Sequence, residues 1–179
     1  LSLHFISDTP PEEAIEFIEN VYNQSSGDLV KIHQAVVDAV IKYSDNSTKF
    51  LQPELWFFNV HKAVGGGLPL KFLGQGDDWG NEQTNNILYE MGHLNSRTPQ
   101  PNGWSDLAVD WLTPEMMDRR VRYIIQLSPK LEYKLKFDPD EYAINFFGKD
   151  SAEAADVKAA PTFTRACLKI FCHPKFMRT

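Results

Sequence analysis

The sequence predicts an all-α fold, a compact multi-helix array of about seven helices with a long ordered Pro/Trp loop. Three observations predict it. Apolar residues recur every three to four positions along most of the chain. The breaks between those stretches carry helix-opening and helix-closing residues. Only residues 130–137 (KLEYKLKF) alternate, and a lone strand without a partner reads better as a loop or a helix lead-in.

Each element follows from local chemistry. Ser7-Asp8-Thr9-Pro10-Pro11-Glu12-Glu13 reads as a helix start, with a small polar cap, prolines in the first turn and acids at the positive end of the dipole. Ile15, Ile18, Val21 and Tyr22 continue it at helical spacing to the stop Ser25-Ser26-Gly27. Asp28 opens the next helix, whose stripe of Leu29, Ile32, His33, Val36, Val37, Val40 and Ile41 is the clearest amphipathic face in the chain. Pro53-Glu54 opens a third, which carries Leu55, Trp56, Phe58, Val60, His61 and Val64; apolar residues cover so much of it that a central position is expected. A loop over 68–80 contains GQGDDWG, and a helix over about 81–93 carries Ile87, Leu88 and Met91.

Residues 91–114 (MGHLNSRTPQPNGWSDLAVDWLTP) form the loop. Pro99 and Pro101 hold their own φ and push Thr98 and Gln100 towards extended conformations. Gly103 permits a turn that a side chain would resist. Thr113-Pro114-Glu115 then caps a helix through Met117, Val121, Ile124, Ile125 and Leu127, stopped by Ser128-Pro129. Asp138-Pro139-Asp140-Glu141 starts a short helix with Ala143, Ile144 and Phe147. Residues 148–160 are small and polar, a loop or weak helical turn. Pro161 begins the last helix, with Phe163, Ala166, Cys167, Ile170 and Phe171, which ends before Pro174.

At 179 residues the chain reads as a single helical domain, 1–179. Its net charge of −6 argues against a nucleic-acid backbone as partner. No run approaches the roughly 18 apolar residues of a membrane span. The chain opens at Leu1 without methionine, so its natural start is expected upstream and the lack of a targeting signal says nothing. Cys167 and Cys172, on one helix, would have α-carbons about 8 to 9 Å apart, too far for a disulfide, so two buried free thiols are expected.

The order of landmarks carries a resemblance. It runs HFISDTPP, a helix opening at SGDL, KFLQPELWFFNVHKAVG, then PQPNGWSD, WLTPEMMDRRV and finally FCHPKFMRT. Together these resemble the C-terminal part of the bacterial domain-of-unknown-function family 1800. That family has an F-x-S-D-x-P-like motif before the first helix, a P-x-P-x-G-W segment leading into W-L and an arginine-bearing helix, and an S-P-E-F-x-x-R type ending. His173 replaces the family's usual serine, and LWFF is an atypical core for the KFLQP region. The resemblance implies a larger parent protein with an upstream helical region, frequent export from the bacterial cytoplasm, and no established activity. No catalytic residue transfers. Leu1, Leu3 and Phe5 are expected to pack on upstream helices or to form an exposed apolar patch hidden by self-association as a homo-oligomer.

Candidate chemistry centres on Trp104, Asp106, Asp110, Trp111 and Arg119, with Arg120 and Arg122 in the same polar cluster. Flat indole faces beside carboxylates could bind a sugar or a peptide, and two carboxylates at suitable separation could hydrolyse a glycoside. The bland reading places both tryptophans in the core, with Arg119 or Arg120 capping carbonyls or pairing with Asp106. Asp77 and Asp78 lack the calcium-loop pattern and read as a solvent-exposed turn. GQG is not a nucleotide fingerprint, and neither H-E-x-x-H nor G-x-S-x-G occurs. His33 and His61 read as structural histidines on apolar faces, and Cys167 as inert. No metal and no cofactor are expected. The functional expectation is a non-catalytic binding or assembly module of an exported bacterial protein. The alternative is a hydrolase domain acting on a glycan or peptide through carboxylates near Trp104 and Trp111.

Overall fold

A computed structural model describes residues 1–43, 49–65, 86–93, 98, 101 and 103–178. The fold is all-α. In chain order the helices are α1 (Ser2–Phe5), α2 (Glu12–Ser25), α3 (Leu29–Lys42), α4 (Pro53–Ala63), α5 (Ala108–Trp111), α6 (Pro114–Lys130), a π-helical turn (Leu131–Leu135), α7 (Pro139–Phe147), α8 (Ala152–Lys158) and α9 (Phe163–Phe171). Residues 86–90 are also helical. Among the described residues there is no strand, only an isolated bridge between Phe50 and Arg178. The helices outnumber the expected seven because α1 and α5 are single turns and α8 lies in the stretch whose small residues show no apolar period. The GQGDDWG loop, with Asp77, Asp78 and Trp79, lies outside the described residues, as do Pro99, Gln100 and Asn102.

Three of the expected caps form. The Asp28 carboxylate accepts from Val30 N at 3.0 Å, the Thr113 hydroxyl from Met116 N at 3.3 Å, and the Asp138 carboxylate from Asp140 N at 2.9 Å. The start of α2 differs from expectation. Its N-cap is Pro11, whose side chain has no acceptor, so no side chain caps it, and Asp8 is engaged elsewhere. Residues 130–137 also resolve differently. α6 runs through Pro129, which cannot donate to the Ile125 carbonyl, and the chain widens into the π-turn, closed by Lys136 in the left-handed region.

The chain divides into two compact units. The first comprises 1–50, 106–108 and 178–179. Its core is Ile6, Ala14, Ile18, Ile32, Val36 and Ala39, where α2 and α3 pack, with Phe17, Val40 and Tyr43 at the margin. Here the expected stripe of α3 is corrected. Leu29, His33, Val37 and Ile41 are exposed, and the buried face is Ile32, Ala35, Val36 and Ala39. α3 is apolar on two opposite sides, and periodicity alone cannot say which side a neighbour takes. Leu1, Leu3 and Phe5 are exposed.

In the same unit Asp8 ties distant segments together. Its carboxylate takes Lys49 Nζ at 2.6 Å and the backbone N–H of Ala108 at 2.6 Å, while Lys49 also donates to the Asp106 carbonyl at 2.9 Å. Burial alone would raise the Asp8 pKa; the Lys49 ammonium and the Ala108 N–H outweigh it and hold the carboxyl below its ordinary value. Asp8→Ala is expected to cost about 2 kcal/mol in urea unfolding at pH 7, and Asp8→Asn less, because the amide oxygen still accepts from Ala108. Equal losses for the two variants would show that the ion pair carries the whole effect.

The second unit comprises 51–105 and 109–177. Trp56, Phe57 and Val60 of α4 are fully enclosed, as expected of a central helix, with Ile124 and Leu131, Ala143, Val157, Ile170 and Phe171. The Trp56 indole donates to the Phe171 carbonyl at 2.9 Å. Arg120, 1% exposed, lies with its guanidinium 5.2 Å from the Trp56 ring and donates to the Leu51 carbonyl at 2.6 Å. Burial lowers its pKa to about 10, so it stays charged at neutral pH. Phe171 anchors an aromatic run, with Phe137, Tyr142 and Phe176 ring centroids 5.7, 6.1 and 5.1 Å away.

Candidate functional site

The helical stretch 86–90 ends in a glycine-closed turn. His93 N reaches the Leu88 carbonyl at 2.8 Å and Gly92 N the Tyr89 carbonyl at 2.9 Å, with Gly92 at φ +77°. A β-carbon on Gly92 would sit 3.0 Å from Met116 Cε and 3.6 Å from Arg119 NH1. Gly92→Ala is therefore expected to destabilise by about 1 to 2 kcal/mol from the left-handed backbone alone; an unchanged thermal midpoint would contradict this.

That turn delivers His93 into the interior, 1% exposed, between two indoles. Its ring centroid is 5.2 Å from Trp104 and 5.3 Å from Trp111, and the two tryptophans are 5.9 Å apart. Neither His93 nitrogen has a hydrogen-bond partner among the described residues. Burial lowers its pKa, with Glu54 opposing, so the ring is neutral. Gly103, at φ +90°, takes just before Trp104 a backbone conformation that a side chain would resist. The Trp111 indole N–H donates to the Ser105 carbonyl at 2.7 Å, and the Gln52 amide donates to the same carbonyl at 3.0 Å.

Beside the turn, a groove of about 570 Å³ runs between residues 87–91 and α6. Ile87, Met91 and Tyr123 supply its apolar surface, and Glu90, Glu115, Asp118, Arg119, Arg122 and Gln126 its polar surface. Glu115 and Arg119 pair one turn apart at 2.5 Å, and Asp118 and Arg122 at 2.6 Å. Arg119 also donates to the Glu90 carbonyl at 2.6 Å. Tyr123 packs its ring on Trp56 and Phe57 and shares a 2.5 Å hydrogen bond with His61. Burial raises the Tyr123 pKa, and burial together with Lys130 lowers that of His61 to about 4, so the pair is a neutral phenol and a neutral imidazole.

The five residues expected from sequence thus fall in different settings. Trp104 and Trp111 enclose His93, and Trp111 is itself buried. Arg119 walls the groove. Asp110 is exposed on α5. Asp106 belongs to the other unit, where its carboxylate meets His4 Nδ1 at 2.6 Å and Lys49 Nζ at 3.9 Å. His61 is buried as expected, whereas His33 is exposed. Sequence reasoning missed the groove residues Glu90, Asp118 and Gln126. The i,i+4 spacing of Glu115 with Arg119 and of Asp118 with Arg122 is the signal that was available.

Both cysteines are free, Cys167 buried and Cys172 half-buried at the end of α9. Burial pushes the thiols up to about 12 and about 11, so both are protonated and unreactive at neutral pH. Among the described residues no group of three or more His, Cys, Asp or Glu side chains is arranged to hold a metal ion. No helix of the described residues is long and apolar enough to cross a membrane.

An all-α chain with a buried histidine–tryptophan cluster and a mixed-charge groove is the class these observations define. Residues 1–176 match the family described as a protein of unknown function (DUF1800), and the chain belongs to that family. No curated protein and no solved structure was found to match it.

Proposed function

We propose that the chain is a non-catalytic binding module of a larger, exported bacterial protein, and that its ligand lies in the groove along α6. One observation carries the reading: each groove guanidinium already faces a carboxylate one turn earlier on the same helix. A small ion would have to break such a pair to bind. An uncharged ligand with alternating donors and acceptors, such as a neutral glycan or the main chain of a peptide, can use the outward-facing atoms of those pairs without separating them. The apolar strip of Ile87, Met91 and Tyr123 suits the flat faces of such a ligand. The volume lies within the range of small-ligand sites.

The test is a thermal-shift panel of neutral oligosaccharides, uncharged peptides, acidic peptides and inorganic phosphate. A neutral ligand is expected to raise the midpoint. Arg122→Ala and Gln126→Ala, both on exposed side chains, should each weaken its binding by about tenfold. Binding confined to anions, or unaffected by both substitutions, would refute the assignment.

A further inference from the structure

α3 has two apolar sides, and the structure buries only one of them. Its inward side, Ile32, Ala35, Val36 and Ala39, packs in the first unit. The opposite side is the ridge Val30, Gln34, Val37 and Ile41, spaced i, i+4, i+7, i+11, which is one stripe of a helix with 3.6 residues per turn. Val30 is 78% exposed, Ile41 68% and Val37 51%. A helix apolar on both sides ordinarily has neighbours on both.

We propose that this ridge is a self-association surface, packing antiparallel against the same ridge of a second copy of the chain. Charge selects both the partner and the direction. Lys31 and Asp38 lie on the same flank of the ridge. A two-fold axis between Gln34 and Val37 places Val30 opposite Ile41 of the second copy and brings each Lys31 within reach of the other copy's Asp38. Both ends of the seam then close on opposite charges. A parallel arrangement sets that charged flank against Leu29, His33 and Val40 instead, and forms no such pair. The one polar residue on the ridge suits enclosure, because the Gln34 amide already donates to Asp38 at 2.9 Å. A polar residue within an apolar seam also penalises slipped registers. The seam is about 16 Å long, four ridge residues over three turns, so the dimer should be weak and concentration-dependent.

Sedimentation velocity on the 179-residue chain tests this. The mass is expected to rise from 20.5 kDa towards twice that value between about 1 and 300 µM. Val37→Lys should abolish the rise while circular dichroism and the thermal midpoint stay unchanged. Lys31→Asp and Asp38→Lys should each weaken association about tenfold, and the double variant should recover most of the loss. A chain that remains monomeric throughout, a dimer indifferent to Val37→Lys, or a double variant no better than its parents would each overturn the proposal. A monomer would assign the ridge to a different occupant.

Discussion

Replacing Arg120 by alanine is expected to destabilise the chain by about 3 kcal/mol or more, among the largest losses available from one substitution. The side chain is fully enclosed, its guanidinium lies over the Trp56 ring, and it donates to the Leu51 carbonyl. Leu51 is in turn held by its own N–H on the Met177 carbonyl at 2.8 Å. Alanine opens a void against Trp56 and removes the donor from a buried carbonyl, two costs that add. Two further variants separate them. Arg120→Met retains most of the volume and removes the donor, so it should lose less than alanine. Arg120→Lys retains charge and length but not the planar fork, and should fall between wild type and alanine. Urea unfolding reads all three. A loss below about 1 kcal/mol for alanine would mean that the site collapses around the missing side chain.

Acid should loosen the chain well before its carboxylates titrate. His61 and His93 are both buried and held neutral. The unfolded chain binds protons at both near pH 6.5, whereas the folded chain binds them only at lower pH. Stability from these two groups is therefore fully present above about pH 6.5 and falls as the pH drops below it, for His61 until about pH 4. A displacement from 6.5 to about 4 corresponds to roughly 3 kcal/mol at His61. Lys130 faces His61 and reinforces the effect, while Glu54 near His93 opposes it. Asp8, held low, keeps its full contribution throughout this window and loses it only as the pH falls below the ordinary value of 3.8. Urea midpoints from pH 7.5 to 4.5 should fall steadily. His61→Gln, which keeps a hydrogen-bond partner for Tyr123 and cannot titrate, should flatten the slope. An unchanged slope would remove His61 as its source.

What the sequence made legible was local. Asp28, Thr113 and Asp138 cap helices because a short polar side chain reaches only two or three residues along its own chain. The burial of Trp56 and Val60 on α4 followed from the apolar residues that cover much of it, whereas Leu55 of the same helix is exposed. The remainder depended on distance along the chain. Asp8 read as a cap, yet its partners are 41 and 100 residues away. His33 read as inward because the stripe of α3 is nearly as apolar on its outer side. The meeting of His93 with Trp104 and Trp111 depended on a left-handed glycine turn at Gly92 and on the positive φ of Gly103, neither of which has a period to follow. The groove was illegible for the same reason: α6 supplies one wall in its own pattern, but nothing in that pattern says that residues 87–91 supply the other.

Six of the side-chain ties described above share a chemistry that bears on how such a chain drifts over time. Trp56, Arg120, Trp111, Gln52, Lys49 and Arg119 each direct an N–H to a main-chain carbonyl, those of Phe171, Leu51, Ser105, Asp106 and Glu90. Every residue type offers that oxygen. The accepting positions can exchange side chains without breaking the tie, so mutations there need no matching change at the donor. Relatives should therefore hold the donors still while the acceptors outside the core, Glu90, Ser105 and Asp106, wander, and paired substitutions there would be rare even though they touch.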